Sequence, residues 1–214
     1  MQSSSEHVKE THADPSGFKT TISNEELNQL HLKAFQEKVQ VITDPAALPA
    51  VVKEIQKHTV VGFDTETRPS FKRGQVFKVA LIQLAIPGKV FLIRTHHAGV
   101  TPEIAAIFEN PGIIKAGVAI HDDIKGLQKF APFTPQGFVD LSIVARKAGY
   151  QVESVKKLTG LLLGFRISKS AQTSNWEALT LTEKQIEYAA TDAWVCLEIY
   201  RKLVEATGKG PVIQ

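Results

Sequence analysis

Val60-Val-Gly-Phe-Asp64-Thr65-Glu66-Thr67 decides how this chain is read. It is an apolar run that ends in two acids one residue apart. A β-strand alternates its side chains, so Asp64 and Glu66 share one face while Phe63 and Thr65 take the other. Two carboxylates at that spacing repel each other and lose hydration unless a cation sits between them. Oxygen-only donors suit Mg2+ or Mn2+ rather than zinc. A strand running out into solvent with ordinary surface acids has the same pattern, so the pair alone leaves both readings open.

The flanking sequence builds a sheet around that strand. Val39 to Thr43 reads as a strand, and Asp44-Pro45 supplies an N-cap and a first-turn proline for a helix over 46–57. A loop over 67–77 carries Arg68, Phe71, Lys72 and Arg73. Strands over 79–86 and 89–94 are joined at Pro87-Gly88 as a hairpin. Thr101-Pro102 opens a helix to Glu109, and a strand over 113–120 then delivers His121, Asp122 and Asp123, followed by a helix to Phe130. Helices are expected over 141–148, 152–163 and 181–205, with Thr180-Leu-Thr-Glu183 as the capping box of the last. The expected architecture is α/β, a single domain with a mixed β-sheet flanked by α-helices. Residues 1–22 read as a polar N-terminal tail, 23–38 as a helical extension, 39–206 as the main domain and 207–214 as a C-terminal tail.

Composition narrows the chemistry. The 214 residues are 43% hydrophobic and 22% charged, with a net charge of +3, which permits a polyanionic partner without requiring one. Cys196 is the single cysteine, so no disulfide within the chain and no cysteine-rich zinc site is available. The N-terminus lacks a basic region followed by an apolar one, and no apolar run reaches the roughly 18 residues of a membrane span. A cytoplasmic protein without membrane contact is expected.

The last helix contributes a second acid site. Tyr188 and Asp192 stand four residues apart, one turn along one helix face. Leu181, Tyr188, Cys196 and Ile199 line the same side, so Asp192 borders a buried stripe, with no basic residue at three or four positions either way. A surface ion pair is the competing reading. A third acid follows the strand over 113–120. If Ile124 and Leu127 face inward, Asp123 lies about 40° from Leu127 and Asp122 about 140° away. Asp123 is therefore expected to face the interior and Asp122 to cap the helix.

Phe63-Asp64-Thr-Glu66, Gly117-Val-Ala-Ile-His-Asp-Asp123 and Tyr188-Ala-Ala-Thr-Asp192 together resemble the three exonuclease motifs of the DEDD superfamily. The tyrosine four residues before the last acid is similar to its tyrosine-bearing (DEDDy) subclass, which includes ribonuclease D and proofreading exonuclease domains. Lys78-Val-Ala-Leu-Ile-Gln-Leu-Ala and Ser174-Asn-Trp176 followed by Leu181-Thr-Glu look most like the Werner-type exonuclease domains. The resemblance covers residues 40 to 206 and implies a ribonuclease-H-like fold. It also implies a 3′-5′ exonuclease in which Asp64, Glu66, Asp123 and Asp192 hold two divalent cations, Mg2+ or Mn2+. Tyr188, with an ordinary pKa of about 10, would orient the attacking water rather than act as a strong base.

The partner so implied is a DNA or RNA 3′ end. Arg68, Lys72, Arg73 and Lys78 are placed to meet phosphates and Phe71 to stack on a base, unless the loop is simply solvated. Thr65, Lys169, Gln172 and Trp176 are added to this groove, Trp176 with core packing as its alternative. A ribonuclease-D-like RNA 3′-end trimming enzyme and a catalytically silent nucleic-acid-binding scaffold are the alternative functions. No obligate protein partner is evident, and accessory or helicase modules are expected on separate proteins.

Overall fold

The computed structural model describes residues 19–72 and 74–208. Its elements are α1 (Asn24–Gln29), β1 (Lys38–Ile42), a 3-10 turn (Pro45–Ala47), α2 (Leu48–Ile55), β2 (Val60–Thr67), β3 (Val79–Ile86) and β4 (Lys89–Arg94). There follow α3 (Thr95–Ala98), α4 (Pro102–Glu109), β5 (Ile114–Gly117), α5 (His121–Gln128), β6 (Phe138–Asp140), α6 (Leu141–Lys147), α7 (Val155–Leu163) and α8 (Glu183–Thr207). The six strands form one mixed sheet in the order β1-β4-β3-β2-β5-β6. β3 runs antiparallel to both its neighbours, while β1 pairs with β4, β2 with β5 and β5 with β6 in parallel.

Side-chain alternation sends each strand's residues to two different cores. Val61, Phe63, Ile82, Leu84, Phe91 and Ile93 join α2 and α4 in one cluster. On the opposite face, Leu81, Ala85, Val90 and Leu92 pack with Ala189, Ala190 and Ala193 of α8. Every residue of β3 is buried, as a strand covered on both faces requires. α8 lies so close to the sheet that a Cβ on Gly62 would stand 1.9 Å from the Ala193 carbonyl oxygen. A glycine in β2 facing small residues in α8 therefore sets the spacing between the two elements that carry acids.

Several boundaries differ from expectation. The strand over 113–120 ends at Gly117, because Ala119 turns the chain with a φ of 57° and its N–H donates to Asp140. The cap of α8 is Thr182 with Gln185, not Thr180 with Glu183, so the box lies two residues further on. α5 starts from Ile120 without a side-chain cap, and Asp122 does not cap it. β6 and the short α3 were not anticipated. Thr20 and Ile22, assigned to the tail, are buried. Ile22 packs with Leu27 of α1 and Leu158 of α7, so the packed chain includes residues before 23. The extension beyond α1 runs over α8, where the Phe35 N–H donates to the Thr191 hydroxyl. Among the described residues no helix is long and apolar enough to cross a membrane.

Candidate active site

The end of β2 and the middle of α8 bring three carboxylates together. Asp64 and Glu66 point toward α8, and Asp192 points back. One oxygen from each lies within 4.8 Å of the others. Asp192 is buried and the other two are half-buried. Burial holds Asp64 well above the ordinary carboxylate range, and the charges of Asp192 and Asp123 add to it. Burial likewise pushes Glu66 up to about 10, with Asp64, Asp192 and Asp123 contributing. Asp192 is raised to about 7 by burial, against the opposing hydrogen bond from Tyr188 and the charge of Lys169. Three ionised carboxylates at this spacing require a cation, and oxygen donors alone suit a hard divalent one. The cluster thus fits a divalent metal.

Tyr188 lies one turn before Asp192, with its ring 6.0 Å from that of Trp176. Burial first, then the charges of Asp192 and Glu66, hold its hydroxyl above the ordinary range. It is a phenol that donates a hydrogen bond, not a phenolate that removes a proton.

Asp123 does not join the three. Its carboxylate accepts a hydrogen bond from the hydroxyl of Thr65, the residue between Asp64 and Glu66, and its charge acts on both of those acids. Of the two candidates after β5, it is half-buried and Asp122 exposed, in agreement with the helix-face argument. Asp123 is raised mainly by burial, an effect the Thr65 bond opposes. Thr65 itself is buried and committed to that bond, so its expected role as a nucleic-acid contact is corrected: strand alternation turns it into the protein.

The residues of the expected groove fall in different surroundings. Phe71 is 86% exposed and Lys72 is exposed beside it. Arg68 stacks over Phe77 at 4.8 Å and meets Glu177 at 3.3 Å. Lys78 lies over the Phe130 ring at 5.2 Å. Arg73 lies outside the described residues. Arg68, Phe71, Lys72, Phe77, Thr173 and Asn175 line a cavity of about 370 Å³ that starts where β2 ends. Lys169 and Gln172 are exposed, and Lys169 is near enough for its charge to act on Asp192. Trp176 is fully buried and belongs to the core; as a groove residue it is corrected, since no face of its indole reaches solvent. Glu177 and Phe77, which hold Arg68, were missed. Lone residues between elements give no sequence periodicity that would reveal them.

A family profile described as 3′-5′ exonuclease matches residues 39–207.

The chain belongs to this 3′-5′ exonuclease family.

It is 39% identical over 150 residues to the bifunctional 3′-5′ exonuclease/ATP-dependent helicase WRN of Mus musculus, covering 67% of this chain and 11% of that protein. It is 31% identical over 176 residues to ribonuclease D of Haemophilus influenzae, covering 80% of this chain and 43% of that protein. The structure of Escherichia coli RNase D, described as an exoribonuclease involved in structured RNA processing, matches with a TM-score of 0.73 at 28% identity. That match covers 80% of this chain and 45% of the other. The EXO domain of Aedes aegypti Nibbler matches with a TM-score of 0.72 at 26% identity, over 82% of this chain and 93% of that one. The first three curated relatives are covered over only 11%, 20% and 30% of their own length. The expected ribonuclease-H-like α/β fold is the one shared with these exonuclease domains.

Proposed function

We propose that this domain hydrolyses the terminal phosphodiester of a nucleic-acid 3′ end and releases nucleoside monophosphates. The convergence of Asp64, Glu66 and Asp192 within 4.8 Å is the observation that carries this reading. Those three would hold one divalent cation, and Asp123, whose charge already acts on Asp64, would share a second with it. Mg2+ or Mn2+ bound there would supply an acidified water and would neutralise charge on the phosphate and on the leaving 3′ oxygen. Asp64 extends from a strand that pairs with β3 at this position and with β5 up to Gly62, which supports its carboxylate before substrate arrives. The Tyr188 hydroxyl, kept protonated, orients the attacking water by hydrogen bonding.

Lys169, exposed and near enough for its charge to act on Asp192, would meet the terminal phosphate. Arg68, Phe71 and Lys72 would receive the next nucleotides, charge against phosphate and ring against base. Arg73 remains part of that proposal from the sequence alone. A cytoplasmic setting also belongs to the proposal and rests on the single, buried Cys196.

Release of labelled monophosphate from matched DNA and RNA oligonucleotides, in Mg2+, in Mn2+ and in EDTA, tests the reading. Cation-dependent release from the 3′ end that is lost in Asp64→Ala is expected. Binding without release under every condition would identify the silent scaffold instead. The ratio of RNA to DNA turnover separates a ribonuclease-D-like trimming enzyme from a deoxyribonuclease, through contacts to the 2′-hydroxyl.

A further inference from the structure

Gln83 lies at the centre of β3 and is fully buried. Neither its Nε2 nor its Oε1 has a hydrogen-bond partner. A buried amide left in that state is less favourable than a hydrocarbon side chain of the same size. Its surroundings offer little relief. Along β3 its same-face neighbours are Leu81 and Ala85, and across the ladder on β4 it faces Leu92. Ala189, Ala190 and Ala193 of α8 belong to the cluster that closes over this face.

The other cross-strand partner is different. Gln83 pairs directly with Asp64 on β2, so the two side chains leave the sheet on the same face, with Cβ atoms about 4.5–5.5 Å apart. Of its four sheet neighbours, Asp64 alone can accept a hydrogen bond. The terminal torsion of a glutamine amide is broad, so Nε2 can turn toward a neighbouring carboxylate at small cost.

We infer that Gln83 is a positioning residue for Asp64: its amide N–H donates to one carboxylate oxygen and fixes the plane of the group that faces Glu66 and Asp192. The inference rests on the proposed role of Asp64 in holding a cation. A carboxylate with one oxygen tied from behind offers the other in a single direction, which is how outer partners raise the affinity of a metal site. Gln83 touches neither substrate nor reacting atoms; it acts through Asp64.

The test titrates Mn2+ into the whole chain without nucleic acid, read by the loss of the free-ion electron paramagnetic resonance signal. Gln83→Met keeps the length of the side chain and removes the amide, and Gln83→Leu repeats the deletion with a stiffer side chain. Both should bind Mn2+ about tenfold more weakly, with kcat falling in step and the KM for a single-stranded oligonucleotide unchanged. Their urea midpoints should change little, since both hydrocarbon side chains keep the packed volume and the unpartnered Oε1 is gone. A packing role predicts the reverse, a lower midpoint with unaltered Mn2+ binding, and would overturn the assignment. Asp64→Asn is measured in parallel. Lost Mn2+ binding in Asp64→Asn with wild-type binding in both Gln83 variants overturns the inference alone. Wild-type binding in all three overturns the reading of the site beneath it.

Discussion

At the end of β2, Asp64 and Glu66 project from a strand paired with β3 at both positions and with β5 up to Gly62, and Asp192 projects from a helix of 25 residues seated on that strand. A few residues further along, Phe71 and Lys72 project from a loop, 86% of the Phe71 side chain facing solvent. The first region is fixed by packing, with the Gly62 contact leaving no freedom in the distance between its two elements. The second is held by single contacts, such as Arg68 over Phe77 and against Glu177. Chemistry that needs oxygens placed to a fraction of an ångström is built on the stiff region, while the loop can adapt to whatever sequence passes over it.

The largest effect should come from the stiff region itself. Asp64→Ala is expected to reduce nuclease turnover to background. It should leave the circular dichroism spectrum unchanged and raise the urea midpoint in EDTA, because a buried and repelled carboxylate is removed. Retained turnover would break the comparison at its strongest point. Gly62→Ala tests the support rather than the chemistry. A methyl group 1.9 Å from the Ala193 carbonyl oxygen must push α8 away, at a cost of about 3 kcal/mol or more in stability. A variant that loses stability yet keeps full turnover would show that the spacing of β2 and α8 does not govern the site. Tyr188→Phe should lower kcat by about 10²-fold with little change in KM, as loss of a water-orienting hydroxyl requires. Equal losses in both would assign Tyr188 to packing.

The pH dependence of stability reads the same region without substrate. Asp192 has a pKa of about 7 in the fold against 3.8 as a free side chain. Between those values the folded chain binds the extra proton, so its stability in EDTA falls as pH rises from about 4 to 7. The contribution is present at low pH and lost through neutrality, on the order of a few kcal/mol. Asp192→Asn should reduce that slope, with Asp64 and Glu66 supplying the remainder, and Mn2+ should restore wild-type stability more at pH 7 than at pH 5. Urea midpoints across this range measure both.

Much of the stiff region was legible in the sequence, because its signals are periodic. Alternation placed Asp64 and Glu66 on one face, the four-residue spacing placed Tyr188 beside Asp192, and the helix angle chose Asp123 over Asp122. What escaped were contacts between elements. Nothing in the local pattern told that Thr65 would donate to Asp123, or that Trp176 would be sealed against Tyr188. Lys115 is another case: it is fully buried in β5, donating to the carbonyls of Ile107 and Asn110 over the Phe138 ring. Its partners lie at the end of α4 and in β6, a three-residue strand too short to show a period.

The smallest effect belongs to the loop, and it is the one that defines the other half of the comparison. Lys72→Ala removes a single exposed cation beside Phe71. If that cation meets a phosphate, the slope of log affinity against log salt for a single-stranded oligonucleotide should fall by about 0.7, while kcat at saturating substrate stays unchanged. Phe71→Ala should weaken binding by the stacking energy of one base, about 1–3 kcal/mol, without changing the salt slope. The two changes act on different forces, so the double variant should lose both amounts additively if ring and charge meet successive parts of one strand. A salt slope unchanged by Lys72→Ala together with Arg73→Ala would leave the loop merely solvated. Recognition would then have to be sought nearer Lys169, the exposed cation whose charge already acts on Asp192.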